Sequence, residues 1–262
     1  MVRTVFWIWY FIGALLLVLF SIPESLKFSS GLFLVFYAAY AGDLLIKGRE
    51  YPLMADRSVI YSEELRKPSL WLGFLVIWTG GMAVEWFGVH TGHLFGAYEY
   101  SDALGPLLFG VPVTLGFAWI AVVCNAALLS RDFGQSGWRF LVLRALQVGF
   151  WTVLLDLVLD PVAHAREFWV WGSNAGGFYG VPWSNFAGWL LIGSLLSLVL
   201  PNARISAAAV RRGTRLYQGF VILFGLVGLR EDLPLCMVIA GLAAALAEGS
   251  LRYAGSREIQ KV

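Results

Sequence analysis

The sequence predicts an all-α fold: a polytopic integral membrane bundle of about eight transmembrane helices, with both termini cytoplasmic. Three observations predict it. Hydrophobic residues make up 59% of the 262 and charged residues 14%, where a soluble domain carries about a quarter charged residues. The apolar residues gather into eight runs, some of them short, near the roughly 20 residues that cross a hydrocarbon core. The basic residues alternate between connecting segments as the positive-inside rule requires. No second unit is marked off, so residues 1–262 read as a single membrane domain.

The runs fall at about residues 5–22, 30–46, 70–89, 112–130, 139–160, 184–200, 215–230 and 234–250. The first follows Arg3 as a signal peptide would, but Ser21-Ile22-Pro23-Glu24 makes a poor cleavage site, so the run reads as a helix. Prolines mark the boundaries, at Pro23, Pro52, Pro68, Pro112, Pro161, Pro182, Pro201 and Pro234, where a first turn or a helix end accepts them. With the N-terminus inside, the inner segments carry Arg3; Lys47, Arg49, Arg57, Arg66 and Lys67; Arg131 and Arg139; Arg204, Arg211, Arg212 and Arg215; and Arg252, Arg257 and Lys261. The outer segments carry Lys27, Arg166 and Arg230. Fifteen against three favours eight helices over seven. Arg144, one turn into the fifth run, is expected to snorkel to the inner interface. Asp43 stands four residues before Lys47 at an inner helix end and reads as an ion pair. Cys124 and Cys236 lie within apolar runs and read as buried small hydrophobes, with no disulfide expected.

This topology puts two long segments on the outer face, Glu85 to Pro112 and residues 161–183. Both follow a helix that ends in acid: Glu85 in one case, Asp156 and Asp160 in the other. Both are rich in glycine and aromatic residues. Both close with Gly-Val-Pro, at 110–112 and 180–182, where a helix starts. A weak two-fold repeat of helix–loop–helix units accounts for the match, and chance recurrence of a tripeptide is the competing account. The last two runs hold few polar residues and read as scaffold.

Asp156 and Asp160 lie one turn apart on one helix face, within Val-Leu-Leu-Asp-Leu-Val-Leu-Asp. Carboxyls inside a membrane segment are costly and face an interior cavity. Desolvation and a second carboxyl nearby both favour the protonated form, which general-acid chemistry needs. The bland alternative is that Asp160 with Pro161 caps the next loop and Asp156 pairs with a polar neighbour. Glu85 follows Thr-Gly-Gly-Met-Ala-Val and carries the same argument. Tyr98, Glu99 and Tyr100, then Trp169, Trp171, Asn174, Tyr179, Trp183, Asn185 and Trp189, decorate the outer segments. An aromatic belt explains many of them. It does not explain Asn185, an amide just inside a helix that could hold a water or a carboxylate. Aromatic faces, Trp119 among the candidates, can stabilise a cation.

Several chemistries are excluded. The lysines, Lys27, Lys47, Lys67 and Lys261, all fall outside the apolar runs, so a retinal Schiff base is ruled out. No P-loop, Gly-x-Ser-x-Gly or His-Glu-x-x-His occurs, and nothing points to nucleic acid. His90, His93 and His164 all fall on the outer side, but His90-Thr-Gly-His93 reads as loop, and no metal site is expected.

Together the motifs resemble a known family. Glu-x-x-Gly-Val-x-Thr-Gly-x-x-Phe-Gly-x-Tyr-x-Tyr, Leu-Gly-Pro-x-Leu-x-Gly-Val-Pro, Leu-Asp-x-Val-x-Asp-Pro, and Trp-x-Trp with Gly-x-Tyr-Gly-Val-Pro-x-x-Asn-Phe-x-Gly-Trp are similar to blocks of the carotenoid biosynthesis hydratases. That family includes carotenoid 1,2-hydratases and bisanhydrobacterioruberin hydratases. The resemblance covers a core of about residues 85–189; the first two and last two helices carry no matching motif. Trp86 and Phe87 are bulkier than the aliphatic pair expected after the acid, which bears on pocket shape.

The resemblance implies a hydro-lyase of isoprenoid metabolism in a bacterial or archaeal cell membrane, lodged as a multi-pass protein in the lipid bilayer. Its substrate is an acyclic carotenoid, lycopene-like or a C50 precursor, and no cofactor is implied. Water adds to the terminal C=C and gives a tertiary alcohol. Carboxylic-acid protonation forms a tertiary cation, and water captures it. Glu85, Asp156 and Asp160 are the implied catalytic groups. Tyr98, Tyr100, Trp119, Trp171, Tyr179, Asn185 and Trp189 are the implied substrate-binding groups. The sequence leaves open which carboxyl is acid and which is base; the stacked pair favours Asp160 as acid and Glu85 as base. Association with other carotenoid enzymes is a further expectation. Two other readings stay open. Asp-Leu-Val-Leu-Asp also suits another membrane isoprenoid enzyme, an end-group cyclase or a prenyltransferase, though only one such motif occurs. A non-enzymatic carotenoid-binding protein would leave its pigment unchanged.

Overall fold

The computed structural model describes residues 1–20, 26, 28–50, 57–131, 137–172 and 176–259. Asn174 lies outside them. Eight helices run through the described residues: α1 (Val2–Leu19), α2 (Phe28–Lys47), α3 (Arg57–Thr91), α4 (Thr114–Leu129), α5 (Gly137–Ala165), α6 (Trp183–Ser197), α7 (Ala207–Arg230) and α8 (Pro234–Ile259). The fold is an all-α membrane bundle. Five helices are long and apolar enough to cross a bilayer: α1, α2, α3, α5 and α8. α4, at 16 residues, and α6, at 15, are shorter than a full span. The first turns of α7 carry Arg211, Arg212 and Arg215, which dilute its apolar content.

Contacts between helix ends follow the alternation the charges predict. At the inner end, β1 (Arg49–Glu50) after α2 pairs antiparallel with β6 (Arg204–Ile205) before α7. Arg144 Nη1 donates to the Leu200 carbonyl at 3.2 Å and also bonds Asn202, so its guanidinium reaches the inner end of α6. Lys47 and Asp43 pair at 2.5 Å. At the outer end, Arg166 just past α5 and Arg230 at the close of α7 donate to carbonyls in the last turn of α1, Leu17 and Val18, and to that of Phe20 just past it. Helix C-termini leave such carbonyls without intrahelical partners, and cationic donors suit that end of the dipole. Arg166 also pairs with Glu231 at 2.6 Å. Apolar side chains facing outward, such as Phe11, Leu15, Leu72, Leu75, Leu191 and Leu242, are the surface that lipid covers.

Three helix boundaries differ from the sequence expectation. α3 begins at Arg57, before Pro68, which puts Lys67 inside a helix though outside its apolar part. α3 also runs on to Thr91, so Glu85 stands within the helix and His90 in its last turn. α5 carries Pro161 inside it and ends at Ala165. A proline one turn from a helix end forfeits a single backbone bond, so Asp160 is a mid-helix residue and not a cap. Cys124 and Cys236 are both buried and free.

The outer segments also hold short strands, which hydrophobic runs do not reveal. β2 (Tyr98–Tyr100) pairs antiparallel with β5 (Trp169–Trp171), Glu99 lying opposite Val170. Period-two alternation sends Tyr98, Tyr100, Trp169 and Trp171 inward, while Glu99 and Val170 face out. A second hairpin joins β3 (Leu107–Leu108) to β4 (Val111–Pro112) through Phe109-Gly110 at φ 50° and 82°. Phe178 and Val181 bridge in the same way around Tyr179-Gly180 at φ 52° and 84°. A two-residue turn with both centres left-handed is of type I′, for which glycine is favoured at the second centre. Both Gly-Val-Pro closures are therefore the same turn, each followed by a helix. The recurring tripeptide thus closes the same local turn in both segments, as a repeat of the two units would.

Candidate active site

Glu85 leaves α3 toward the bundle interior. It is 3% exposed, while its neighbours Trp86 and Phe87 are 46% and 41% exposed and turn to the lipid. Those two bulky rings do not line the interior. Glu85 is saturated with donors. Its Oε2 accepts from the hydroxyls of Tyr98 at 2.6 Å and Tyr100 at 2.7 Å. Its Oε1 accepts from the indole N–H of Trp119 at 2.9 Å. Three donors fill most of the acceptor capacity of this carboxyl and fix its orientation. Burial and then the nearby Glu85 charge push both phenols above their ordinary range, so they stay protonated and remain donors.

Asp156 and Asp160 leave α5 on one face and are also buried. The Asn185 amide joins them: its Nδ2 donates to Asp156 Oδ2 at 2.9 Å and to Asp160 Oδ2 at 2.5 Å. The other oxygen of each, Oδ1, is buried without a hydrogen-bond partner. An unpartnered buried oxygen is costly. It calls for a proton, a water or a substrate atom at that spot.

Glu85 and Asp160 line one cleft of about 270 Å³, counted with its mouth. Phe95, Tyr98, Tyr100, Leu115, Trp169, Trp171, Asn185 and Trp189 complete it. No lysine or arginine is among them. The ribbon of β2 and β5 roofs it on the outer side. Trp189 stacks on Trp119 with ring centroids 4.7 Å apart and planes 25° from parallel. Tyr98 lies against Trp171 at 5.9 Å and Tyr100 edge-on to Trp169 at 5.7 Å.

Most of the expected site residues converge here. Tyr98, Tyr100, Trp171, Asn185 and Trp189 line the cleft with Glu85 and Asp160. Trp119 stands behind Glu85 as its hydrogen-bond donor, and Asp156 stands one turn below Asp160. Tyr179 does not join them. It is the first centre of the second type I′ turn, and its hydroxyl accepts from the Leu235 N–H at 3.3 Å, at the start of α8. Tyr179→Phe is therefore expected to leave turnover within about twofold of the parent, because an exposed hydrogen bond contributes about 1 kcal/mol of stability at most; product analysis of the variant checks it. The cleft also draws on Phe95, Leu115 and Trp169, which were not singled out as binding residues. Phe95 lies ahead of β2 and out of phase with Tyr98 and Tyr100, so the strand's alternation gave no signal for it. Among the described residues, no group of three or more His, Cys, Asp or Glu side chains forms a metal-ligand set. The His90 and His93 rings bond backbone carbonyls of Trp86 and Thr91.

Comparison with known proteins adds the family. The model of carotenoid biosynthesis proteins matches residues 53–247, most of the chain and all of the cleft. The chain belongs to the carotenoid biosynthesis protein family. It is 36% identical over 194 residues to the bisanhydrobacterioruberin hydratase of Haloarcula japonica, an alignment covering 71% of this chain and 64% of that protein. It thus spans a little under two thirds of that relative's length. No solved structure matches it. Within this carotenoid biosynthesis protein, the matched region begins ahead of the apolar part of α3 and ends in α8, so it takes in both halves of the cleft.

Proposed function

We propose that this protein is a carotenoid hydratase, adding water to the terminal double bond of an acyclic carotenoid end group. The observation that carries the reading is a ring-lined, buried cleft with a carboxyl held by three donors on one side and a linked carboxyl pair on the other. The relative from Haloarcula japonica, named as a hydratase, supports the same class of reaction. We read the chain as one membrane domain and place it in a cell membrane, where such a substrate dissolves.

The chemistry follows from the groups present. The terminus is a trisubstituted alkene, with two methyls on C1 and one hydrogen on C2. Asp160, at the cleft wall, gives its proton to C2 as the π bond breaks. The positive charge goes to C1, the carbon that makes the more stable tertiary cation. The faces of Trp169, Trp171 and Trp189 and the negative Glu85 stabilise it by quadrupole and charge. Water attacks C1 and releases a proton to Glu85, whose Oε1 carries one donor and keeps room for another. Asp156 and Asn185 hold Asp160 in place. Return of the proton from Glu85 to the aspartate pair completes the cycle, and C=C plus H₂O has become H–C–C–OH.

Incubating membranes that contain the protein with an acyclic carotenoid in oxygen-18 water tests this reading. A product gaining one labelled oxygen is expected. An unlabelled isomer of the same mass as the substrate means that the site cyclises its end group, and unchanged pigment means that it only binds.

A further inference from the structure

The two walls of the cleft are copies of each other, and the copying extends to the reactive groups. Glu85 stands 13 residues before Tyr98, and Asp156 stands 13 before Trp169. Tyr98 and Tyr100 on β2 correspond to Trp169 and Trp171 on β5. The two type I′ turns then bring the chain to Pro112 and to Pro182. Trp119 follows the first by seven residues and Trp189 the second by seven; Leu115 and Asn185 each follow by three. A pseudo-two-fold axis therefore passes between Glu99 and Val170 in the ribbon, through the cleft, and between the stacked rings of Trp119 and Trp189. It exchanges α3 with α5 and α4 with α6. The packing agrees: α4 lies against α6, each of them touches both α3 and α5, and α3 and α5 take the far diagonal.

The copies have diverged in chemistry. On the α3 side the carboxylate takes three donors, and the residue three beyond the turn is Leu115. On the α5 side the same position is Asn185, which ties Asp156 to the added Asp160 and leaves an Oδ1 on each without a partner. A flat alkene held between the ribbon and Trp189 would present one face to the α3 wall and the other to the α5 wall. We propose that the two halves act on opposite faces of the substrate's terminal double bond. The α5 half delivers the proton to C2 from one face. The α3 half receives the proton of water entering C1 from the other face, so H and OH add anti. The proposal rests on the hydratase reading and makes it stereospecific. Acid and base on a single wall would instead give syn addition.

The test uses the full-length protein in membranes and an acyclic carotenoid carrying carbon-13 in the methyl trans to the chain at each terminus. Hydration in D₂O places deuterium on C2. The purified tertiary alcohol is then taken through a chemical syn-elimination, and the trisubstituted alkene that keeps deuterium is examined by NMR. Anti addition leaves the carbon-13 methyl trans to the chain in that alkene. Syn addition leaves it cis and overturns the proposal. An even mixture also overturns it, because the cation is then captured from either face. If no deuterated alcohol forms at all, the hydratase reading itself fails, and the proposal falls with it. That outcome is distinct from hydration of the wrong geometry.

Discussion

Hydration falls by about a hundredfold to ten-thousandfold in an Asp160→Asn protein and in a Glu85→Gln protein, the range spanned by removal of a general acid or base. The two variants fail for different reasons. At position 160 an amide keeps the size of the carboxyl and can still accept from Asn185, but it has no proton to give C2. At position 85 the amide meets three donors. The indole of Trp119 can only donate, so the amide oxygen turns to it. The amide nitrogen is left facing Tyr98 and Tyr100, whose hydroxyls rotate to accept. The pocket survives, and the negative charge opposite the cation is gone. Product quantification from membranes containing equal amounts of each folded variant measures the effect. Near-parental turnover by both would remove these carboxyls from the reaction.

The second large effect comes from a residue with no functional group. Gly81→Ala is expected to cost about 1–3 kcal/mol, the usual penalty for overpacking, and to lower hydration at least tenfold. A Cβ at Gly81 would stand 2.5 Å from Cδ1 and 2.8 Å from Cβ of Trp119. That indole cannot swing aside freely, being held by Glu85 on its N–H and by Trp189 on its face. Relieving the clash means breaking one of those contacts. Thermal unfolding in detergent measures the first effect and product formation the second. A variant that is destabilised but fully active would show that Trp119 does not set the position of Glu85.

The sequence carries the class of this fold because class depends on averages. Run length and the placement of arginine and lysine do not need side-chain geometry. The burial of Glu85, Asp156 and Asp160 was legible for a related reason, since carboxyls in apolar helices have nowhere else to go. Pairing was harder. Tyr98 and Tyr100 read as interface aromatics, and their bonds to Glu85 arise only because residues 98–100 form a strand against 169–171. A three-residue strand on an aromatic-rich loop leaves no signal distinct from a belt. Tyr179 drew attention for the mirror-image reason: it sits beside Gly-Val-Pro, but the left-handed backbone there comes with a hydroxyl contact to the start of α8. Asn185 stood out correctly as an amide without a belt role, though nothing in its neighbourhood names Asp156 and Asp160 as its partners.

The twin type I′ turns and the stacked tryptophans mean that this molecule contains its own experimental control. Any substitution on one side of the cleft can be compared with the matching one on the other, in the same bilayer and at the same depth. Leu115 and Asn185 are the most informative pair. Exchanging them moves one amide between equivalent positions while leaving composition, volume and helix ends almost unchanged. In the exchanged protein Asp156 and Asp160 lose the amide that joins them, so the comparison with its parent reads what that link contributes on the α5 side.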